Sequence, residues 1–169
     1  SSVTGVQTCA LPIWTKSEMP RGQDVGFGYF VASIVQTLRA GKEFVVWGGD
    51  RVNKIATPSL ASEIGAEISR IIDKKVGGTF HLVGDDAVTR MELAELTCDV
   101  FELNKELLKT GEPPLEALFP SGVPVDTSLS NLKTKEILGL GKTSIKDLLC
   151  AFKVEWESGK VAPITKRVG

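Results

Sequence analysis

VGGTFHLVGDDAVTRMELAELTCDVF, residues 76–101, decides the fold, because several independent local signals agree there. Gly77-Gly78 turns the chain, residues 79–83 form a short apolar run of β-prone types, and Gly84-Asp85-Asp86 breaks that run before a helix begins. Thr89 followed by Glu92 is a capping box: the threonine hydroxyl accepts from the Glu92 amide while the Glu92 carboxylate reaches back to the Thr89 amide. Beyond it Leu93, Leu96, Val100 and Phe101, with Ala94 and Cys98 beside them, give an apolar stripe at helical spacing. A strand apolar on both faces that leads into such a helix belongs to an α/β sheet covered on both sides. Residues 79–83 are therefore expected to be the last strand of a larger sheet whose other strands lie outside this chain.

Working outward, the upstream side repeats the alternation. Phe27, Phe30, Val31, Ile34, Val35 and Leu38 share one helical face that Gly41 closes, and a short strand is expected at residues 43–47. Gly48-Gly49-Asp50 turns, residues 51–56 cross over, and Thr57 with Pro58 opens a second helix along Leu60, Ala61, Ile64, Ile68, Ile71 and Ile72 to Lys74-Lys75. Helix, strand, helix, strand, helix is α/β order.

Downstream, Asn104 caps a short helix through Leu108, and GEPPLEALFPSGVP is a proline-rich loop with no regular element. Ser130 caps a helix that Gly139 ends. Thr143 or Ser144 caps a final helix with Ile145, Leu148, Leu149, Phe152 and Trp156 on one face, and residues 158–169 fray. Residues 14–24 read as a loop. Residues 1–13, SSVTGVQTCALPI, read as the in-frame translation of a sequencing-library adapter; they lack the basic and apolar regions of a signal peptide and are set aside as non-native. The natural sequence is then entered near Trp14.

Composition narrows function. In 169 residues, 20 basic against 21 acidic side chains leave a net charge of -1, too little positive field for nucleic acid or an anionic membrane, and no apolar run is long enough to span one. Cys9, Cys98 and Cys150 have no metal-ligand spacing; Cys98 and Cys150 fall on apolar helix faces, as buried thiols of a reducing cytoplasm. No metal is expected. Phosphate loops are missing: Gly26-Phe27-Gly28 follows no strand and lacks a third glycine, so it reads as a helix-entry turn. His81, the one histidine, reads as a sheet residue satisfied by one hydrogen bond rather than a catalyst. The one tyrosine, Tyr29, has Ser33 four residues on, so no Tyr-x-x-x-Lys pair exists.

ATPSLASEIGAEISRII, then GTFHLVGDDAVTRMELAELTCDVFELNKELL, then VPVDTSLSNLKTKEILGLGKTSIKDLL resemble the C-terminal part of dTDP-4-dehydrorhamnose reductases, extended short-chain dehydrogenase/reductases, and of their non-reducing relative, the regulatory beta subunit of methionine adenosyltransferase. The resemblance runs from about Phe27 to Trp156. It implies an α/β chain: a C-terminal fragment of an NAD(P)-binding Rossmann-like fold, residues 14–157, whose residues 57–84 supply a Rossmann helix and the last strand. Residues 85–157 then build a small, mostly helical substrate-binding lobe.

By the same resemblance the full-length parent binds NADPH or NADH through an upstream glycine-rich turn, and this fragment binds neither. Hydride transfer needs a held nicotinamide and an acid for the developing alkoxide, so the fragment alone is expected to be inactive. A nucleotide sugar is the expected substrate. The family's Arg-Pro pair stands here as Val123-Pro124, and valine offers a diphosphate no donor. Substrate-binding candidates are Arg51 and Asn53 in the crossing loop, Arg90 at its helix start, and Asp126 and Ser128 in the late loop. Each has an ordinary structural reading beside it, as a capping, solvated-loop or surface residue. An epimerase or dehydratase fragment and a non-catalytic regulatory subunit are the alternatives. An expressed fragment is expected to aggregate or behave as a molten state, with apolar stripes around Ile34 and Ile68 facing water.

Overall fold

The computed structural model describes residues 29–120 and 122–160. The adapter-like segment, the loop at 14–24, the helix entry at Phe27 and the Gly26/Gly28 pair lie outside the described residues, as does the tail from 161.

Helix α1 (Phe30–Arg39) buries the predicted face, Phe30, Val31, Ile34, Val35 and Leu38, and ends where Gly41 takes a φ of 70°. Strand β1 (Phe44–Trp47) follows as expected, and Phe44 meets the Phe30 ring edge-on at 5.7 Å. The crossing loop leads through β2 (Ile55–Ala56) to α2 (Ala61–Lys74). This helix begins three residues after the expected Pro58 start. The Thr57 hydroxyl does not cap it; it accepts the Leu129 amide at 3.3 Å and ties the crossing loop to the late loop instead.

Residues 79–83 carry no regular element and form no strand ladder among the described residues. No neighbouring strand is placed beside them. Side chains of the fourth helix take over the backbone groups: the His81 amide donates to Thr134 Oγ1 at 3.0 Å, and Asn131 Nδ2 donates to the Val83 carbonyl at 2.8 Å. Leu82 and Val83 are nonetheless buried, as an apolar run should be.

Strand β3 (Val88–Thr89) pairs antiparallel with β2 and passes directly into α3 (Arg90–Phe101), where both halves of the Thr89/Glu92 capping box form. Asn104 Oδ1 caps a single 3₁₀ turn, Lys105–Leu107, shorter than the helix expected. Leu108 then opens a strand absent from the sequence reading, β4 (Leu108–Gly111), parallel to β1 with Phe44 opposite Leu108 and Trp47 opposite Gly111. Gly111 suits that pairing, since a Cβ there would lie 2.8 Å from Val45 Cγ1. A second 3₁₀ turn, Leu115–Ala117, interrupts the proline-rich loop.

Helix α4 (Leu132–Leu138) ends at Gly139 as predicted, with Ser130 one residue too early to be its N-cap. Helix α5 (Ile145–Ser158) starts from a capping box of Ser144 and Asp147. The core lies where α1, α3, α5 and β1 meet: Leu93, Ala94, Cys98 and Phe101 of α3 press on Phe30 and Ile34 from one side and Phe152 from the other. Ile34 is 0% exposed, so the α1 stripe is covered, contrary to the expected exposure. On α2 the expectation holds: Ile64 is buried, but Ile68 and Ile72 face outward. Cys98 is buried as expected and Cys150 is exposed, because position 150 falls just off the packed face of α5.

Candidate functional site

The five candidate residues come from three segments distant in sequence, and the fold lays those segments side by side. The Lys54 and Ile55 amides both donate to the Val125 carbonyl, at 2.7 and 3.1 Å, and the Thr127 amide donates to the Ile55 carbonyl at 2.9 Å. Ile55 also bridges to Asp126 on one side and pairs with Thr89 on the other. A narrow three-segment ribbon results, with the crossing loop in the middle, the late loop along one edge and the start of α3 along the other.

Asn53 and Arg90 form the ribbon's interior. Asn53 is 2% exposed, and its Nδ2 donates to the Pro124 carbonyl at 3.1 Å and to Thr127 Oγ1 at 2.8 Å. Arg90, expected at the surface, is 3% exposed: its Nε donates to the Asn53 carbonyl at 2.7 Å and its guanidinium stacks on the Phe30 ring at 5.2 Å. The stacking desolvates a cation that the ring quadrupole then stabilises. Neither side chain offers an open edge to a diphosphate; both brace the ribbon. Asp126 and Ser128 lie on its late-loop edge; Arg51 precedes the paired residues and, because Ile55 bridges Asp126 in parallel, lies toward the opposite end from Ser128. Arg51 is exposed, and Ser128 is half-buried with its amide donating to Asp126 Oδ1 at 2.8 Å. That bond holds the Asp126 carboxyl below its ordinary value.

Asp85, read from sequence only as a chain breaker, ties the 84–86 turn to α4 and to the loop before α5. Lys135 Nζ, Asn131 Nδ2 at 2.8 Å and the Thr143 amide at 2.5 Å all donate to its carboxylate. Burial pushes the Asp85 carboxyl up; those three donors together outweigh it and hold the pKa below its ordinary value. Next to it Asp86 accepts from the Ile145 amide at 2.9 Å and pairs with Lys142, locking the start of α5. Thr127 and Asp85 carried no recognisable signal, because their partners lie 46 to 74 residues away. His81 is exposed and its Nδ1 makes the one expected hydrogen bond, to the Ser130 carbonyl at 3.0 Å.

The turns at Gly84 and Gly48-Gly49 do not offer a dinucleotide a phosphate cradle. Such a cofactor needs an open glycine cradle of backbone amides. Gly84 instead packs against the chain, where any Cβ would collide with the Pro58 carbonyl oxygen. The Gly48-Gly49 turn faces the Glu112 carboxylate, which repels phosphate. No cluster among the described residues can hold a metal ion, and no helix among them is long and apolar enough to cross a membrane. A cavity of about 30 Å³ between α1, Pro58 and α5 is lined almost wholly by apolar atoms and offers no chemistry.

No family model matches the chain. It is 27% identical over 129 residues to the probable low-salt glycan biosynthesis reductase Agl14 of Haloferax volcanii, covering 76% of this chain and 40% of that protein. It is 31% identical over 93 residues to methionine adenosyltransferase 2 subunit beta of Mus musculus, covering 51% of this chain and 26% of that one. Its fold matches the dTDP-4-dehydrorhamnose reductase of Bacillus anthracis, whose structure holds NADP, with a TM-score of 0.57 at 16% identity over 75% of this chain and 42% of that one. Nucleotide-sugar dehydratases and epimerases share the fold. The chain thus spans well under half the length of the relatives it matches, and the five helices and small parallel sheet among its described residues correspond to part of their Rossmann-like architecture. In sequence and fold it is similar to part of the dTDP-4-dehydrorhamnose reductases and their relatives among the extended short-chain dehydrogenase/reductases.

Proposed function

We propose that the chain is the C-terminal, substrate-binding part of an NAD(P)-dependent reductase of nucleotide-activated sugars, similar to dTDP-4-dehydrorhamnose reductase. The observation that supports the reading is the ribbon: it gathers the crossing loop, the late loop and the start of α3, and its late-loop edge carries Asp126 and Ser128. An exposed guanidinium suits a diphosphate, and a hydroxyl beside a carboxylate suits sugar hydroxyls. Val123 stands where the resembling family carries an arginine, and the exposed Arg51 of the crossing loop is the proposed partner of the diphosphate. NADPH or NADH and the proton donor belong to the upstream part of the parent polypeptide, and residues 85–157 form the lobe that closes over them. The chain by itself is catalytically silent and works in the cytoplasm.

The alternative with support of its own is a regulatory subunit: the 31% identity to the methionine adenosyltransferase subunit exceeds that to the glycan reductase. Following NADPH oxidation by the product of the full reading frame, supplied with a dTDP-4-dehydro-6-deoxysugar, separates the two. The reductase reading expects turnover, with Arg51→Ala raising KM about tenfold, the loss of one charge-assisted contact. A full frame that lacks Tyr-x-x-x-Lys and gives no turnover establishes the regulator instead.

A further inference from the structure

Asn53 joins the crossing loop to the late loop through its side chain, where their other links run through backbone. The residue is 2% exposed, and its Nδ2 donates to the Pro124 carbonyl at 3.1 Å and to Thr127 Oγ1 at 2.8 Å. The Thr127 hydroxyl passes its own hydrogen to the Ile55 carbonyl at 3.4 Å, so the fastening closes back on the crossing loop. From the other side Arg90 Nε donates to the Asn53 carbonyl at 2.7 Å and fixes the residue to the start of α3. The two acceptors flank Val125 and Asp126, and Ser128 follows directly.

Stability alone does not account for an asparagine here. Asn53 Oδ1 is fully covered and meets no donor among the described residues. Turning the amide over gives no relief, since it sets Oδ1 against the Pro124 carbonyl oxygen, acceptor to acceptor. A covered acceptor without a donor costs about what a hydrogen bond contributes, and a leucine of similar shape would carry no such cost. We propose that Asn53 is a positioning residue: it touches no ligand itself, and it staples the late loop at Pro124 and Thr127 so that the Asp126 carboxylate and the Ser128 hydroxyl meet a sugar's hydroxyls in one fixed arrangement. Groups ordered beforehand bind more tightly, because the ligand no longer has to order them. What Asp126 and Ser128 bind rests on the reductase reading above; the staple itself does not.

Hydrogen exchange of the 169-residue chain reads the staple without ligand, and titration with dTDP-glucose, followed through the NMR shifts of the amides of 126–128, reads its consequence. Asn53→Leu is expected to keep the urea midpoint at or above that of wild type. At the same time the Thr127 amide exchanges about tenfold faster and dTDP-glucose binds about tenfold more weakly, roughly the net worth of one hydrogen bond. Thr127→Val removes the acceptor and keeps the shape; it is expected to do the same, and the double variant no more than either single one. A midpoint that falls as far as the late-loop protection makes Asn53 a residue of stability only and overturns the proposal. Wild-type exchange at position 127 in both variants overturns it too. Should Asn53→Leu not fold, Thr127→Val decides by the same readings. Wild type that shows no dTDP-glucose shifts, with the exchange results as expected, sinks the nucleotide-sugar reading and leaves the staple standing.

Discussion

At the scale of single residues, what the sequence made plain was whatever closes within one turn. The Thr89/Glu92 box needs partners three residues apart, and both of its hydrogen bonds form. Thr89→Ala is expected to cost about 1 kcal/mol in urea denaturation, the usual worth of an N-cap. Arg90, its neighbour, was illegible: a long cation beside a cap reads as surface, and only the return of Asn53 and Phe30 from far upstream buries it. Arg90→Lys is expected to lose about 1.5–3 kcal/mol in the same measurement, because an ammonium cannot both bond the Asn53 carbonyl and stack flat on Phe30. An unchanged midpoint would mean that the stacked, buried guanidinium is not formed. Gly84→Ala is expected to destabilise at or beyond the upper end of the ~1–3 kcal/mol typical of overpacking, since the Pro58 carbonyl occupies the space of the new methyl and backbone cannot swing aside.

At the scale of elements, helices were legible and strands only partly so. The stripes of α1, α3 and α5 announce themselves through 3.6-residue spacing, and each buries the face expected. Strand β4 has no such signature: LKTG becomes a strand because Phe44–Trp47 arrives alongside, a pairing across some sixty residues that no local pattern encodes. Residues 79–83 show the converse. Their composition is that of a strand, yet α4 side chains hold their backbone in place of neighbouring strands. Asp85 secures that arrangement, and with its pKa depressed it contributes stability that is present above the ordinary carboxylate range and is lost as pH falls through the folded value. Asp85→Asn is therefore expected to flatten the acid limb of the thermal stability profile below about pH 4 while lowering Tm at neutral pH.

At the scale of the whole molecule, the covered core and the uncovered α2 face describe a chain that folds around α3 yet keeps a surface suited to further packing. Ile72 is 67% exposed and Ile68 40%. Apolar rows of this kind mark interaction surfaces. Ile72→Lys is expected to leave Tm within about 1 °C and to reduce self-association in light scattering, since an exposed substitution is worth within ~0.5 kcal/mol. The candidate residues were legible singly and not as a place: Asp126 and Ser128 could be named from the chain, but the edge that carries them forms only because Ile55 pairs in both directions. The central claim is that this polypeptide carries a substrate rim without a nicotinamide site. Calorimetric titration of the 169-residue chain with NADPH, and separately with NADH, into the millimolar range tests it most directly. The account predicts no saturable heat with either; a saturable isotherm with a micromolar Kd would contradict it.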